Sequence, residues 1–195
     1  MNYFKKYWYW LYGVAAILIM FWIINSDVKT MTDNFDEAFN FVVKNEGGYA
    51  DDDDDKGGET FMGISKATYP SLDIKKLTID QVKDIYKKDF WNASFIPAIG
   101  HRELSIYLFD WMVLCGEGQL SVIFQRAINA TGNSIFIDGE IGKQTLTAYK
   151  KINNHEGFLW VLRAEMISYF YDICKNDPSQ KKFLKGWIAR VFKKI

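Results

Sequence analysis

Glu46 is the residue best placed in this sequence to do acid–base chemistry. It follows Phe35 by eleven positions. At about 100° per residue it returns to the helical stripe of Phe35, Phe39 and Val42, which recur at i, i+4 and i+7. A carboxylate on the core-facing stripe is shielded from water. At the C-terminal end of the helix it also meets the partial negative charge of the backbone carbonyls. Both effects favour the protonated form, the condition of a general acid that works near neutral pH. Helix geometry alone is equally compatible with a carboxylate that pairs with a lysine or caps a loop N–H.

The next acids form a run, Asp51 to Asp55. A calcium loop of the EF-hand type needs a glycine at its sixth position and a glutamate at its twelfth. Counting from Asp51, those positions hold Lys56 and Met62, so the run reads as a solvated face. No metal or other cofactor is expected. His101 and His155 read as surface or capping residues, and neither has cysteine partners at zinc spacing. Cys115 and Cys174 are too few for a disulfide scaffold; they read as two buried thiols or as a single bridge.

The elements that must carry these residues read mainly as helices. One helix runs from a cap at Thr32, Asp33 or Asn34 to about Asn45, where Gly47 and Gly48 stop it. The segment 47–64 is loop or short hairpin. Further helices are predicted over 78–90 (capped at Thr78), 101–114, 118–130, 139–153, 156–175 and 179–194. Asn129 to Gly142 is a turn-rich connector, with Asp138-Gly139 as a turn. Hydrophobic content of 49% with 17% aromatics predicts a dense core. Lys plus Arg and Asp plus Glu number 24 each, so bulk charge points to no nucleic-acid partner. The last fifteen residues nevertheless hold six Lys or Arg and no acid. That basic end could lie on anionic lipid, on the cell wall or simply in water.

Tyr7 to Ile24 is an uncharged stretch of eighteen residues, about 27 Å long as a helix. That nearly matches a hydrocarbon core of about 30 Å. Lys5 and Lys6 precede it, so residues 1–30 read as a cytoplasmic stub and a transmembrane signal anchor, with the remainder outside the inner membrane.

Glu46-Gly47-Gly48-Tyr49, followed by Asp52, Asp55, Gly57-Gly58-Glu59-Thr60 and Gly63-Ile64, resembles the signature of glycoside hydrolase family 108. This is a lysozyme-like family of phage endolysins and secretion-associated muramidases. FDWMVLCGEGQLSVIFQRAIN (109–129) and IDGEIGKQTLTAYKKI (137–152) resemble its C-terminal predicted peptidoglycan-binding region. Arg163 and NDPSQKKFLKGWIARV (176–191) resemble its closing pattern. Asp53 and Lys56 depart from it, standing where relatives often have proline.

The resemblance implies a lysozyme-like α-helical domain with a short loop or hairpin at the active site, preceded by one transmembrane helix. Its regions would be 1–30 (anchor), 31–110 (glycoside hydrolase) and 111–195 (peptidoglycan-binding). It implies cleavage of the bond between N-acetylmuramic acid and N-acetylglucosamine in peptidoglycan glycan strands. Glu46 would be the catalytic acid, with Asp55 and Thr60 as its companions. Tyr49, Tyr169 and Arg163 are the candidate substrate-binding residues. Tyr169, like Tyr171 and Trp187, could stack on a sugar or pack in the core. Arg163 and Arg190 could hold the C-terminal helices together or meet peptidoglycan carboxylates. The alternative is a non-catalytic peptidoglycan-binding or secretion-accessory protein that keeps the fold.

Overall fold

The computed structural model describes residues 34–45, the backbone of 49–50, and residues 60–195. The predicted anchor at 1–30, Glu46 and the whole aspartate run from Asp51 to Asp55 lie outside the described residues, as does the side chain of Tyr49. Among the described residues no helix is long and apolar enough to cross a membrane.

Helix α1 spans 34–45 and buries Phe35, Ala38, Phe39 and Val42 on one stripe, with Phe41 beside it. Three two-residue strands follow: β1 (Tyr49–Ala50), β2 (Thr60–Phe61) and β3 (Ile64–Ser65). They form one antiparallel sheet in the order β1-β2-β3, with Ala50 opposite Thr60 and Phe61 opposite Ile64. The β2–β3 turn is Met62-Gly63, and both residues have positive φ, 47° and 78°. Two left-handed residues in a two-residue loop match the right-handed twist of the flanking strands. Tyr86 pins this turn to the helical body, its hydroxyl donating to the Met62 carbonyl at 2.9 Å.

Helix α2 (Ile79–Ile85) starts at the predicted cap. The Gln81 N–H bonds the Thr78 hydroxyl at 3.3 Å and the Thr78 N–H bonds the Gln81 side chain at 2.9 Å, a reciprocal capping box. The predicted helix 78–90 does not stay regular, because residues 86–91 widen into an i→i+5 turn. The Asn92 N–H reaches the Lys87 carbonyl at 2.9 Å. In a regular helix, residues five apart diverge by about 140°; here Tyr86 and Trp91 are both buried. They enclose Phe109, whose ring centroid lies 6.0 Å from Tyr86, 5.1 Å from Trp91 and 6.0 Å from Phe35.

Phe109 belongs to α3 (Arg102–Cys115), in which residues 104 to 112 are all buried. A helix buried on every side is the axis around which others pack. The boundary expected between residues 110 and 111 falls inside it. Helix α4 (Glu117–Ala130) packs on α3 and on α6 (His155–Asn176), and α7 (Lys181–Val191) packs on α6.

The predicted helix 139–153 is corrected to the shorter α5 (Lys143–Tyr149). The cause is Gln125, a buried side chain on α4. Its oxygen accepts the N–H groups of Asp138 and Gly139 at 3.1 and 2.9 Å. Its amide nitrogen donates to Asp138 Oδ1 at 2.6 Å and to the Glu140 carbonyl at 3.0 Å. Backbone groups held this way are not available to a helical ladder. At the other end, tightened i→i+3 bonds at Lys151 and Ile152 close the helix. Asp138-Gly139 is a turn, as the sequence predicts, with Gly139 at φ 79°.

Candidate active site

Asp110 is the acid inside the apolar run of α3, and it is fully buried. A carboxylate taken from water must be paired and hydrogen-bonded. Arg190 of α7 supplies a two-pronged partner: Nε donates to Oδ2 and a terminal nitrogen to Oδ1, each at 3.0 Å. The Asn45 amide donates to the same Oδ1 at 2.7 Å. Asn45 is the last residue of α1 and the peptide neighbour of Glu46. Three elements distant in sequence therefore converge on one carboxylate.

Helix α7 reaches this point because its apolar face docks on α6. Trp187 stacks on Phe170 with centroids 5.1 Å apart. The chain beyond it is held as well, since the Tyr107 hydroxyl donates to the Lys193 carbonyl at 2.9 Å. Lys193 returns the contact, its ammonium donating to the Lys44 carbonyl in the last turn of α1 at 3.4 Å. A cation there also complements the negative end of the helix. Between α1, α3 and α7 lies an open groove of about 420 Å³, lined by Asn45, Leu114, Trp187, Arg190 and Lys193 among others.

Thr60 lies in β2, half-buried, opposite Ala50 of β1. The β1–β2 pair thus brackets residues 51–59, which include Asp55, and β1 begins three positions after Glu46. The short hairpin expected at this place is present. Its strand residue Tyr49 pairs with Phe61.

Arg163 lies among three rings, its guanidinium carbon 4.9 Å from Tyr107, 5.0 Å from Trp160 and 5.7 Å from Phe192. Its Nε donates to the Val191 carbonyl at 3.3 Å. Arg163 and Arg190 both hold the C-terminal helices, one of the two roles the sequence allows them. Tyr169 is half-buried on α6 beside the core. Burial, and then the nearby Cys115, push its phenol pKa up. Trp187 packs rather than projects, whereas Tyr171 is exposed.

His101 caps α3, its Nδ1 accepting the Leu104 N–H at 3.4 Å. Its ring lies 4.5 Å from that of His155. Burial first, and then His155, hold the His101 pKa below the ordinary imidazole value, with Glu103 opposing. Both cysteines are free thiols. Among the described residues no cluster of His, Cys, Asp or Glu could hold a metal ion.

Asn45 and Asp110 are the site residues that sequence reasoning does not single out. A usable signal exists, since Asp110 is the lone acid in LSIYLFDWMVL (104–114). An acid inside such a run has to find a partner, although nothing local says which.

Residues 39–116 match the family model described as Glycosyl hydrolase 108, and residues 119–192 match that of the Predicted Peptidoglycan domain. Among solved structures, that of Brucella abortus SagA is similar, with a TM-score of 0.63 and 26% identity. The likeness covers 82% of this chain and 90% of that one. No curated protein matches.

Proposed function

The chain belongs to the Glycosyl hydrolase 108 family, its match over 39–116 continuing into the peptidoglycan domain at 119–192, and we propose that it is a membrane-anchored N-acetylmuramidase. The two matches support a peptidoglycan hydrolase or binding role. Cleavage of the bond between N-acetylmuramic acid and N-acetylglucosamine, with Glu46 as general acid, is the finer reading. The observation that carries it is the extent of the first match. It runs unbroken from the buried face of α1 through the β1–β2 hairpin, the span that holds Glu46, Asp55 and Thr60.

In this reading Glu46 protonates the leaving glycosidic oxygen while the sugar develops oxocarbenium character. Asp55 stabilises that charge or orients a water, and Thr60 helps to hold the water. Carboxyls about 5 Å apart would give retention and a wider gap inversion. Tyr49, Tyr169 and Arg163 are the proposed substrate contacts; Arg163 sits beside the exposed ring of Trp160. Residues 1–30 anchor the enzyme in the inner membrane with the N-terminus in the cytoplasm. The charge-free stretch from Tyr7 to Ile24 supports that placement.

The experiment is incubation of the detergent-solubilised full chain with purified sacculi. Soluble muropeptides should accumulate, and they should not with Glu46→Gln. Sedimentation of the chain with sacculi without any release would overturn the enzymatic reading in favour of a binding protein.

A further inference from the structure

Taking the muramidase reading as its basis, we infer that Asp110 and Arg190 are positioning residues that hold the end of α1, through Asn45, for the chemistry of Glu46. The geometry that carries this is a chain of three side chains from three elements. Arg190, from the C-terminal helix, fixes both oxygens of Asp110 at 3.0 Å. Asp110 is fully buried on the central helix, so it cannot move to follow a mobile partner. Its Oδ1 in turn accepts the Asn45 amide at 2.7 Å. Glu46 is bonded to Asn45 through the next peptide.

A single hydrogen bond would suffice to close the helix end. Here the end is held twice from the same helix and its extension, by Asn45 through Asp110 and Arg190 and by Lys193 on the Lys44 carbonyl. Both clamps tie the final two residues of α1 to residues 190–193. The region matched as a peptidoglycan domain (119–192), with Lys193 just past its end, therefore has a further role. It completes the frame on which the proposed acid is mounted, and the boundary between the two matched regions is not a functional boundary. Displacing a reacting group by about 1 Å can cost a rate factor of about a hundred, so such a clamp acts on turnover rather than on affinity.

Asn45→Ala in the full chain removes the bridge and leaves the Asp110–Arg190 pair in place. The maximal rate of muropeptide release from saturating sacculi should fall on the order of tenfold to a hundredfold. The half-saturating sacculus concentration should stay at its wild-type value, and the melting temperature should fall only by what the loss of one charge-assisted hydrogen bond explains, with the protein still folded at the assay temperature. Arg190→Lys should recover part of the rate lost in Arg190→Met, since it returns a cation to Asp110 but not the two-pronged geometry. Release by Asn45→Ala at the wild-type rate, while Glu46→Gln is inactive, would overturn the inference and leave the muramidase reading intact. So would a rate loss accompanied by an equal loss of folded protein, or a change confined to half-saturation. Undiminished release by Glu46→Gln would overturn the muramidase reading itself, and this inference with it.

Discussion

Arg190 grips Asp110 with two hydrogen bonds of 3.0 Å across eighty positions of sequence. The carboxylate is fully buried, and the guanidinium is largely so, with 15% of its side chain exposed. The pair locks the last helix onto the central one. Arg190→Met would strand a buried charge, which costs about 3–5 kcal/mol. Urea unfolding of the variant should show a loss of unfolding free energy of that size. The double substitution Asp110→Leu/Arg190→Met should recover most of it, because an apolar pair of similar volume avoids the desolvation of two charges.

Tyr86→Phe should cost about 1 kcal/mol by the same measurement. The phenyl ring keeps its packing against Phe39 and Phe109, while the bond to the Met62 carbonyl is lost. Amide exchange should quicken in the Met62-Gly63 turn. An unchanged turn would show that the hairpin is held by its ladder alone.

The His101 imidazole is held below its ordinary pKa, chiefly by burial and next by His155. The unfolded chain therefore binds that proton more readily than the fold. Stability is at its full value above the ordinary imidazole value of about 6.5 and falls as the pH drops below it. Protonation would also remove the lone pair that accepts the Leu104 N–H. His101→Asn retains a capping acceptor without a titrating group. Melting temperatures between pH 7 and pH 5 should fall less steeply for His101→Asn than for the wild type. Parallel curves would exclude His101 as the source.

Burial pushes the Cys115 thiol up to about 12. At pH 8 its thiolate fraction is on the order of one in ten thousand, and the thiolate is the nucleophile. Cys174 is buried outright. Intact-mass analysis after iodoacetamide treatment of the native chain should show no adduct, and two after denaturation. Cys115 is half-buried, and its rapid native labelling would contradict the raised pKa.

Much of this fold is legible in the sequence where the cause is local. The stripe of Phe35, Phe39 and Val42 gives α1, and the Thr78–Gln81 box gives the start of α2. The failures have non-local causes. Gly139 and Gly142 weaken the predicted helix start locally, but the backbone groups of Asp138, Gly139 and Glu140 are taken by Gln125, on α4. The widened turn at 86–91 answers to the core around Phe109, which brings Tyr86 and Trp91 to one side. At the candidate site the split is the same. Glu46 and Thr60 are marked by motif and spacing within one short segment. Asp110 carries only half a signal, because its partners Asn45 and Arg190 lie 65 and 80 positions away.

Glycan cleavage through Glu46 is decided by the masses of the new ends released from purified sacculi. The full chain should yield hydrated, reducing N-acetylmuramic acid ends, and Glu46→Gln should yield none at equal sacculus binding. Equal release by wild type and Glu46→Gln would contradict the assignment of Glu46, and anhydro ends in place of hydrated ones would contradict hydrolysis.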